Sequence, residues 1–212
     1  MTKVLILGAG GKIAQIAEEL YLDQTDFDLR LYLRHPNKLS IEESDRVEIV
    51  EGDASDKNSL SNALNGVDIV YANVAGDNIE EQAKSVVESM DNSGVKRLIW
   101  ISTLGIYDEV PGEFGKWNNN ILGSYITKYA AAAKVIEESD LEYTIIRPAW
   151  LTNNDEVNFE VTHREDTFKG TEVSRKSIAQ VVVDTTKNPS DYVRDSIGVN
   201  KPNTDGDKPS WY

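Results

Sequence analysis

Gly8, Gly11 and Ala14 fall three residues apart in "VLILGAGGKIAQ", Val4 to Gln15, between an apolar run and the start of a helical pattern. Small residues at that spacing suit a backbone that must close around an anion. Gly8 allows a tight turn, Gly11 lets main-chain N–H groups approach phosphate oxygens, and Ala14 lets the helix lie close against the strand. The first turn of that helix adds unpaired N–H donors and partial positive charge. The segment Gly8, Gly10, Gly11, Lys12, Ile13 and Ala14 is therefore the expected pyrophosphate site of a dinucleotide. Ile13 stands where the strict G-x-G-x-x-G carries its third glycine, so the pattern is G-x-x-G-x-x-A. An ordinary glycine-rich connection is the alternative.

The end of the second strand tests this. An acidic residue about 20 positions past the turn holds the ribose of NAD. Counting 20 from Ala14 gives Arg34, followed by Lys38, in "LYLRHPNKL". Two cations there suit a 2′-phosphate, which points to NADP over NAD, with a solvated strand-end role for Arg34 as the alternative. Asp53 and Ala54, in "VEGDASD", are expected at the adenine edge, with a turn-capping role for Asp53 as the alternative. Asn73, Ala75 and Gly76, in "NVAG", are expected to let the backbone pass close to the ribose or diphosphate.

These residues need a frame. "KVLILG", "FDLRLYLR", "RVEIVEGD", "VDIVYANVAG", "RLIWIS" and "YTIIRPAW" read as strands, with helical stripes between them. Strands apolar throughout and linked by helices imply a doubly wound parallel α/β sheet, order 3-2-1-4-5-6, covered on both faces. "DSIGVN" would add a last edge strand. Leu122, Tyr125, Ile126, Tyr129, Ala133 and Ile136 read as one helical face. A single domain over 1–212 is expected. Two stretches without clear periodicity, 103–120 and 151–171, follow strand ends as substrate-side loops. The tail "KPNTDGDKPSWY" reads as surface chain.

Composition removes other classes. With 22 Lys plus Arg against 36 Asp plus Glu, the formal charge of −14 repels nucleic acid and anionic membranes. The absence of cysteine excludes disulfides, thiol catalysis and Cys-ligated zinc. His35 and His163 stand far apart, so no metal site is expected, and His163 in "VTHRED" reads as part of a solvated turn. No signal peptide or membrane span is legible, which makes the cytoplasm the expected compartment.

The residues resemble the atypical short-chain dehydrogenase/reductases, of the NAD(P)-binding NmrA-like or biliverdin-reductase-B-like type. "GAGGKIA", "LYLRHPNKL", "VEGDASD", "ISTLGIYDEVPGEFGKWN", "LEYTIIRPAWL" and "VSRKSIAQVVVD" carry the likeness over nearly the whole chain. The resemblance implies a Rossmann fold binding NAD(P)H. Many members reduce carbonyls, quinones or flavins, and some bind the cofactor without known chemistry. Gly8, Gly11, Ala14 and Arg34 match its cofactor motif. Ser102 and Thr103 match the active-site serine position, and Arg147 and Pro148 match the segment that passes the nicotinamide.

The family's active-site Tyr-x-x-x-Lys is missing. Tyr125 with Lys128 is the nearest candidate pair, and Ser124 occupies the tyrosine slot. A one-residue slip turns a helical side chain by about 100°, and the apolar stripe favours a core role for Tyr125. Without a phenol–ammonium pair, carbonyl reduction loses its built-in acid. An acceptor that takes its proton from solvent, such as a flavin or quinone, remains open to it. Ser102, Thr103 or Tyr107 would hydrogen-bond such an acceptor, and Phe114 and Trp117 would close over it or pin their loop. The expected function is NADPH-dependent reduction of a planar small-molecule acceptor by a monomer or homodimer. A non-catalytic NAD(P)H sensor is the alternative, and a sugar-nucleotide epimerase the third.

Overall fold

Alternation inside each strand determines the architecture. The computed structural model describes residues 1–212. In it, Val4 and Ile6 of β1 (Lys3–Leu7) enter one core layer, while Leu5 and Leu7 enter the other. The residues of β4 (Ile69–Ala72) divide in the same way. A sheet apolar on both faces must be covered on both. Helices α1 (Lys12–Gln24) and α6 (Arg175–Lys187) cover one face. Helices α2 (Lys57–Ala63), α3 (Ile79–Ser93) and α5 (Ser124–Glu137) cover the other.

The remaining main-sheet strands are β2 (Asp28–Leu33), β3 (Val47–Glu51), β5 (Arg97–Ile101), β6 (Glu142–Pro148), β8 (Glu160–Thr162) and β10 (Asp195–Asn200). The sheet runs β3-β2-β1-β4-β5-β6-β10-β8. All pairings are parallel except β8 against β10. The doubly wound order read from the sequence therefore holds, and the chain changes direction across the sheet between β1 and β4. That reversal opens a crevice at the carboxyl ends of the two strands. The C-terminal strand β10 is present but is not the edge, because β8 lies outside it.

Local chemistry sets the helix ends. Asp56 caps α2 by accepting from the N–H groups of Asn58 and Ser59. Gly94, at φ +78°, closes α3 in the left-handed conformation that glycine tolerates.

Three expectations need correction. The segment 103–120 is not loop throughout, because α4 (Gly112–Leu122) occupies its second half. Segment 151–171 also carries order: β7 (Trp150–Thr152) starts it and pairs with β9 (Glu172–Ser174) in a separate two-stranded sheet, and β8 lies within it. The helical face read from Leu122 to Ile136 is broken at Gly123, whose φ of +50° and ψ of −122° end α4 and start α5.

One core residue conflicts with its surroundings. Glu18, on α1, is fully buried, and neither carboxyl oxygen has a hydrogen-bond partner. Burial, with a smaller push from Glu19, raises its pKa to about 8. No helix is long and apolar enough to cross a membrane.

Candidate functional site

The crevice is shaped by glycines that cannot be enlarged. Gly8 has φ +74°, and a Cβ built on it would stand 2.4 Å from the Asn73 carbonyl oxygen. A Cβ on Gly11 would stand 2.1 Å from Asn73 Nδ2. The end of β4 is thus pressed into the turn after β1. The turn is fixed by Gly8 N–H donating to Tyr32 O (2.9 Å) and Gly11 N–H to Gly8 O (2.9 Å). Gly11 is the N-cap of α1 and supplies no side-chain cap, and the first turn of the helix holds no acidic residue. Its amide donors and partial positive charge therefore face the crevice uncompensated.

The cleft above the turn has a volume of about 210 Å³. Gly8, Gly10, Gly11, Arg34, Lys38, Asp53, Ala54, Asn73 and Ala75 all line it, as their spacing suggested. Lys12, Ile13, Ala14 and Gly76 do not. Ile13 and Ala14 are buried beneath the turn, so they support the cradle from below instead of lining it. The sequence reading missed Asn78 and Gln82 as lining residues. Gln82 donates to Ala75 O (3.1 Å) and Asn78 Oδ1 (2.9 Å), which shapes the loop after β4.

Charge at the far end of the cleft is mixed. Arg34 Nη1 lies 3.8 Å from Asp53 Oδ2, with the arginine side chain 67% exposed. Asp53 Oδ1 accepts from both the N–H (2.9 Å) and the hydroxyl (2.7 Å) of Ser55. Those bonds, more than Arg34, hold its carboxyl below the usual range. Asp53 thus caps its turn, as one alternative had it, and also lines the cleft.

The family model for NAD(P)H-binding proteins matches residues 8–189. This chain belongs to the NAD(P)H-binding family. It is 40% identical to a Rossmann-fold NAD(P)-binding family protein from Shigella flexneri, at TM-score 0.86, with 99% of this chain and 98% of that one covered. It is 30% identical to a wide-type short-chain dehydrogenase/reductase from Veillonella parvula DSM 2008 in complex with NADP, at TM-score 0.90, with 99% of each chain covered. An uncharacterized sugar epimerase, YhfK, from Bacillus subtilis (strain 168) is 26% identical over 85% of this chain and 86% of its own. The geometry of the cleft fits the family's cofactor: the room that Gly8 and Gly11 leave and the uncapped start of α1 together suit a diphosphate. Gly8→Ala in this NAD(P)H-binding protein is expected to weaken the coenzyme about tenfold or more, because the new Cβ must displace the Asn73 carbonyl. Fluorescence titration of the folded variant checks this, and unchanged affinity would mean that the turn does not shape the site.

The other end of the sheet edge differs from expectation. Ser102, after β5, donates its N–H to Ile146 O (2.7 Å), while its buried hydroxyl has no partner. Thr103 beside it is also buried. Arg147 is corrected: its side chain is wholly buried and committed to structure. It pairs with Glu109 Oε1 and donates from Nε to Ser196 Oγ (3.0 Å) and from Nη2 to Ser196 O (2.9 Å). Pro148 is buried in β6 opposite Val199, and neither it nor Arg147 lines the cleft. Tyr107 is also committed, since its hydroxyl bonds Glu137 (2.8 Å) and its ring packs under the Arg147 and Arg164 guanidiniums, 5.2 and 4.5 Å from its centroid.

Glu109 organises this loop, and the sequence reading did not single it out. It accepts from the N–H groups of Gly105 and Tyr107, both at 3.0 Å, as well as from Arg147. The only signal was an arginine directly after Ile145 and Ile146 in β6, which must find a buried partner.

Tyr125 and Lys128 do not form a pair. Tyr125 is 41% exposed and stacks on Tyr129 at 4.1 Å, so the core role is wrong. The break at Gly123 starts a new helix and turns this position outward. Lys128 Nζ binds Asp77 (2.6 Å), and neither residue lines the cleft. His163 is exposed, as expected of a turn, and binds Asp195 (2.6 Å).

Proposed function

We propose that this protein is an NADPH-dependent oxidoreductase that delivers hydride to a planar, conjugated acceptor of the flavin or quinone type. The observation that carries this reading is the pairing of a cation-bearing nucleotide cleft with an aromatic wall further along the same carboxyl edge of the sheet. Arg34 and Lys38 put two cations at the end of the cleft that also holds Asp53. Trp117 on α4 and Trp150 after β6 form the wall, with centroids 4.8 Å apart.

When bound, the nicotinamide ring supplies hydride. The chain supplies binding, orientation and exclusion of water. Ser102 Oγ is a buried hydroxyl without a partner at the carboxyl end of β5. Trp117 and Trp150 shield the reacting faces. Tyr125 and Lys128 have separate partners, so the acceptor draws its proton from solvent. That limits the substrates to acceptors whose reduced form protonates readily in water.

Arg34 decides between the two coenzymes. Its exposed guanidinium is available to a 2′-phosphate, and a charge-assisted bond of that kind contributes about 1.5–3 kcal/mol. Arg34→Asp is expected to weaken NADPH roughly tenfold to a hundredfold and leave NADH nearly unchanged. Equal losses in parallel calorimetric titrations would remove the phosphate role.

The competing reading is a coenzyme sensor without turnover, which the separated Tyr125 and Lys128 favour. NADPH oxidation with FMN, dichloroindophenol and simple quinones discriminates. Turnover supports the reductase, and tight NADPH binding with no turnover on any acceptor supports the sensor.

A further inference from the structure

We infer that Trp117 and Trp150 are the walls of the acceptor site and that the Tyr212 ring fills it in the resting protein, as an internal competitor that the acceptor displaces. This rests on the oxidoreductase reading for the chemistry of the acceptor.

The two indoles are inclined at 56° with centroids 4.8 Å apart, so they touch and present an angled aromatic face, a shallow wedge on which a ring rests. Tyr212 presents its ring at 72° to Trp117 and 79° to Trp150, with centroids 4.9 and 5.5 Å away. Phe114 lies behind Trp117, nearly parallel at 6.0 Å, and is buried, so the wedge has a firm back. Asn118 fixes the other wall. It is fully buried, and its Oδ1 accepts from Trp150 Nε1 (2.9 Å). Its Nδ2 has no partner and stands beside Gly105, in the loop after β5. The wedge therefore has a planar lining whose second wall is pinned from behind by a buried amide.

Position supports the same use. Trp150 stands two residues beyond the end of β6, and α4 follows the loop that leaves β5 at Ser102. The wedge is thus built from segments leaving the carboxyl ends of β5 and β6. Gly8 and Asn73 stand at the corresponding ends of β1 and β4. Ligands of open α/β sheets bind along that edge. The wedge shares no residue with the lining of the nucleotide cleft.

Tyr212 is held loosely for a residue in such company. It remains 53% exposed. Its backbone bond is local, N–H to Pro209 O at 3.1 Å. The nearest tie to the body is Ser210 on the Glu172 carboxylate, at 2.9 and 3.2 Å. A fused-ring acceptor covers more indole surface than one phenol and gains accordingly. Two aromatic contacts hold the open form to about a tenth of the population or less, and apparent affinity falls by that fraction.

Equilibrium dialysis of FMN and menadione, against protein saturated with NADP⁺ and against protein without it, tests the inference. Tyr212→Ala is expected to bind each probe about tenfold more tightly than the parent, Tyr212→Phe to match the parent, and Trp150→Ala to bind more weakly. Unchanged or weaker binding by Tyr212→Ala overturns the inference, as does absence of probe binding to every variant. Failure to bind NADP⁺ overturns the oxidoreductase reading instead, and the titrations without coenzyme still report on the wedge.

Discussion

Glu109→Ala is expected to cost about 3–5 kcal/mol of stability, the usual penalty for stranding one partner of a buried ion pair. Arg147 has no exposure and Glu109 almost none, so water cannot replace the carboxylate. The loss is compounded by two orphaned amides, Gly105 and Tyr107 N–H, which Glu109 satisfies in the native loop. Glu109→Gln should fall between, because it keeps an acceptor but discards the charge. Urea unfolding of the three proteins at neutral pH measures the difference. A loss below about 1 kcal/mol for the alanine variant would show that the loop repacks and that the pair is dispensable.

The second large effect depends on pH and runs opposite to the usual carboxylate. Glu18 titrates near 4.5 when unfolded and at about 8 in the fold, because burial disfavours its charge. Below pH 4.5 both states hold the proton and the group contributes no pH dependence. Between 4.5 and 8 the unfolded chain has released it and the folded chain has not. Stability then falls by about 1.4 kcal/mol per unit as pH rises, and levels off above 8. At pH 7 the deficit is about 3 kcal/mol. Glu18→Gln removes that slope. The stability of the variant relative to the parent should therefore grow by about 3 kcal/mol between pH 5 and pH 8. Paired urea melts at pH 5, 6.5 and 8 measure it, and parallel curves for the two proteins would show that Glu18 is not held neutral by the fold.

What could be read in advance divides by the range of the signal. The strands were legible because β1, β4 and β5 are nearly continuous apolar runs and β2 and β3 alternate apolar with charged residues, and the sheet order followed from their alternation with helices. The cleft was legible because its residues lie at strand ends, where short motifs such as Gly8 to Ala14 and Arg34 to Lys38 report on their own surroundings. Helix α4 was illegible because its buried face consists of Phe114, Gly115 and Asn118, only one of them a large apolar residue. Gly115 is needed there because a Cβ would meet the Val110 carbonyl at 2.0 Å. Tyr125 was misread because apolar spacing continues across Gly123 although the helix does not. Glu109 with Arg147, and Tyr212 with the two indoles, join residues far apart in the chain, so no local pattern announces them. The tail in particular is rich in Pro, Gly and Asp and reads as solvated chain until its last ring is seen against the tryptophans.

The short antiparallel strand β8 has a bearing on how copies of this chain can meet. Without it, the apolar β10 would offer a row of open amides and carbonyls to any passing strand. Three residues, Glu160 to Thr162, occupy that row and present little of their own to extend. The opposite margin, β3, carries Glu48 and Glu51 in a five-residue strand, so a second β3 brought alongside would meet like charges. Polymerisation by strand addition is thereby discouraged at both margins.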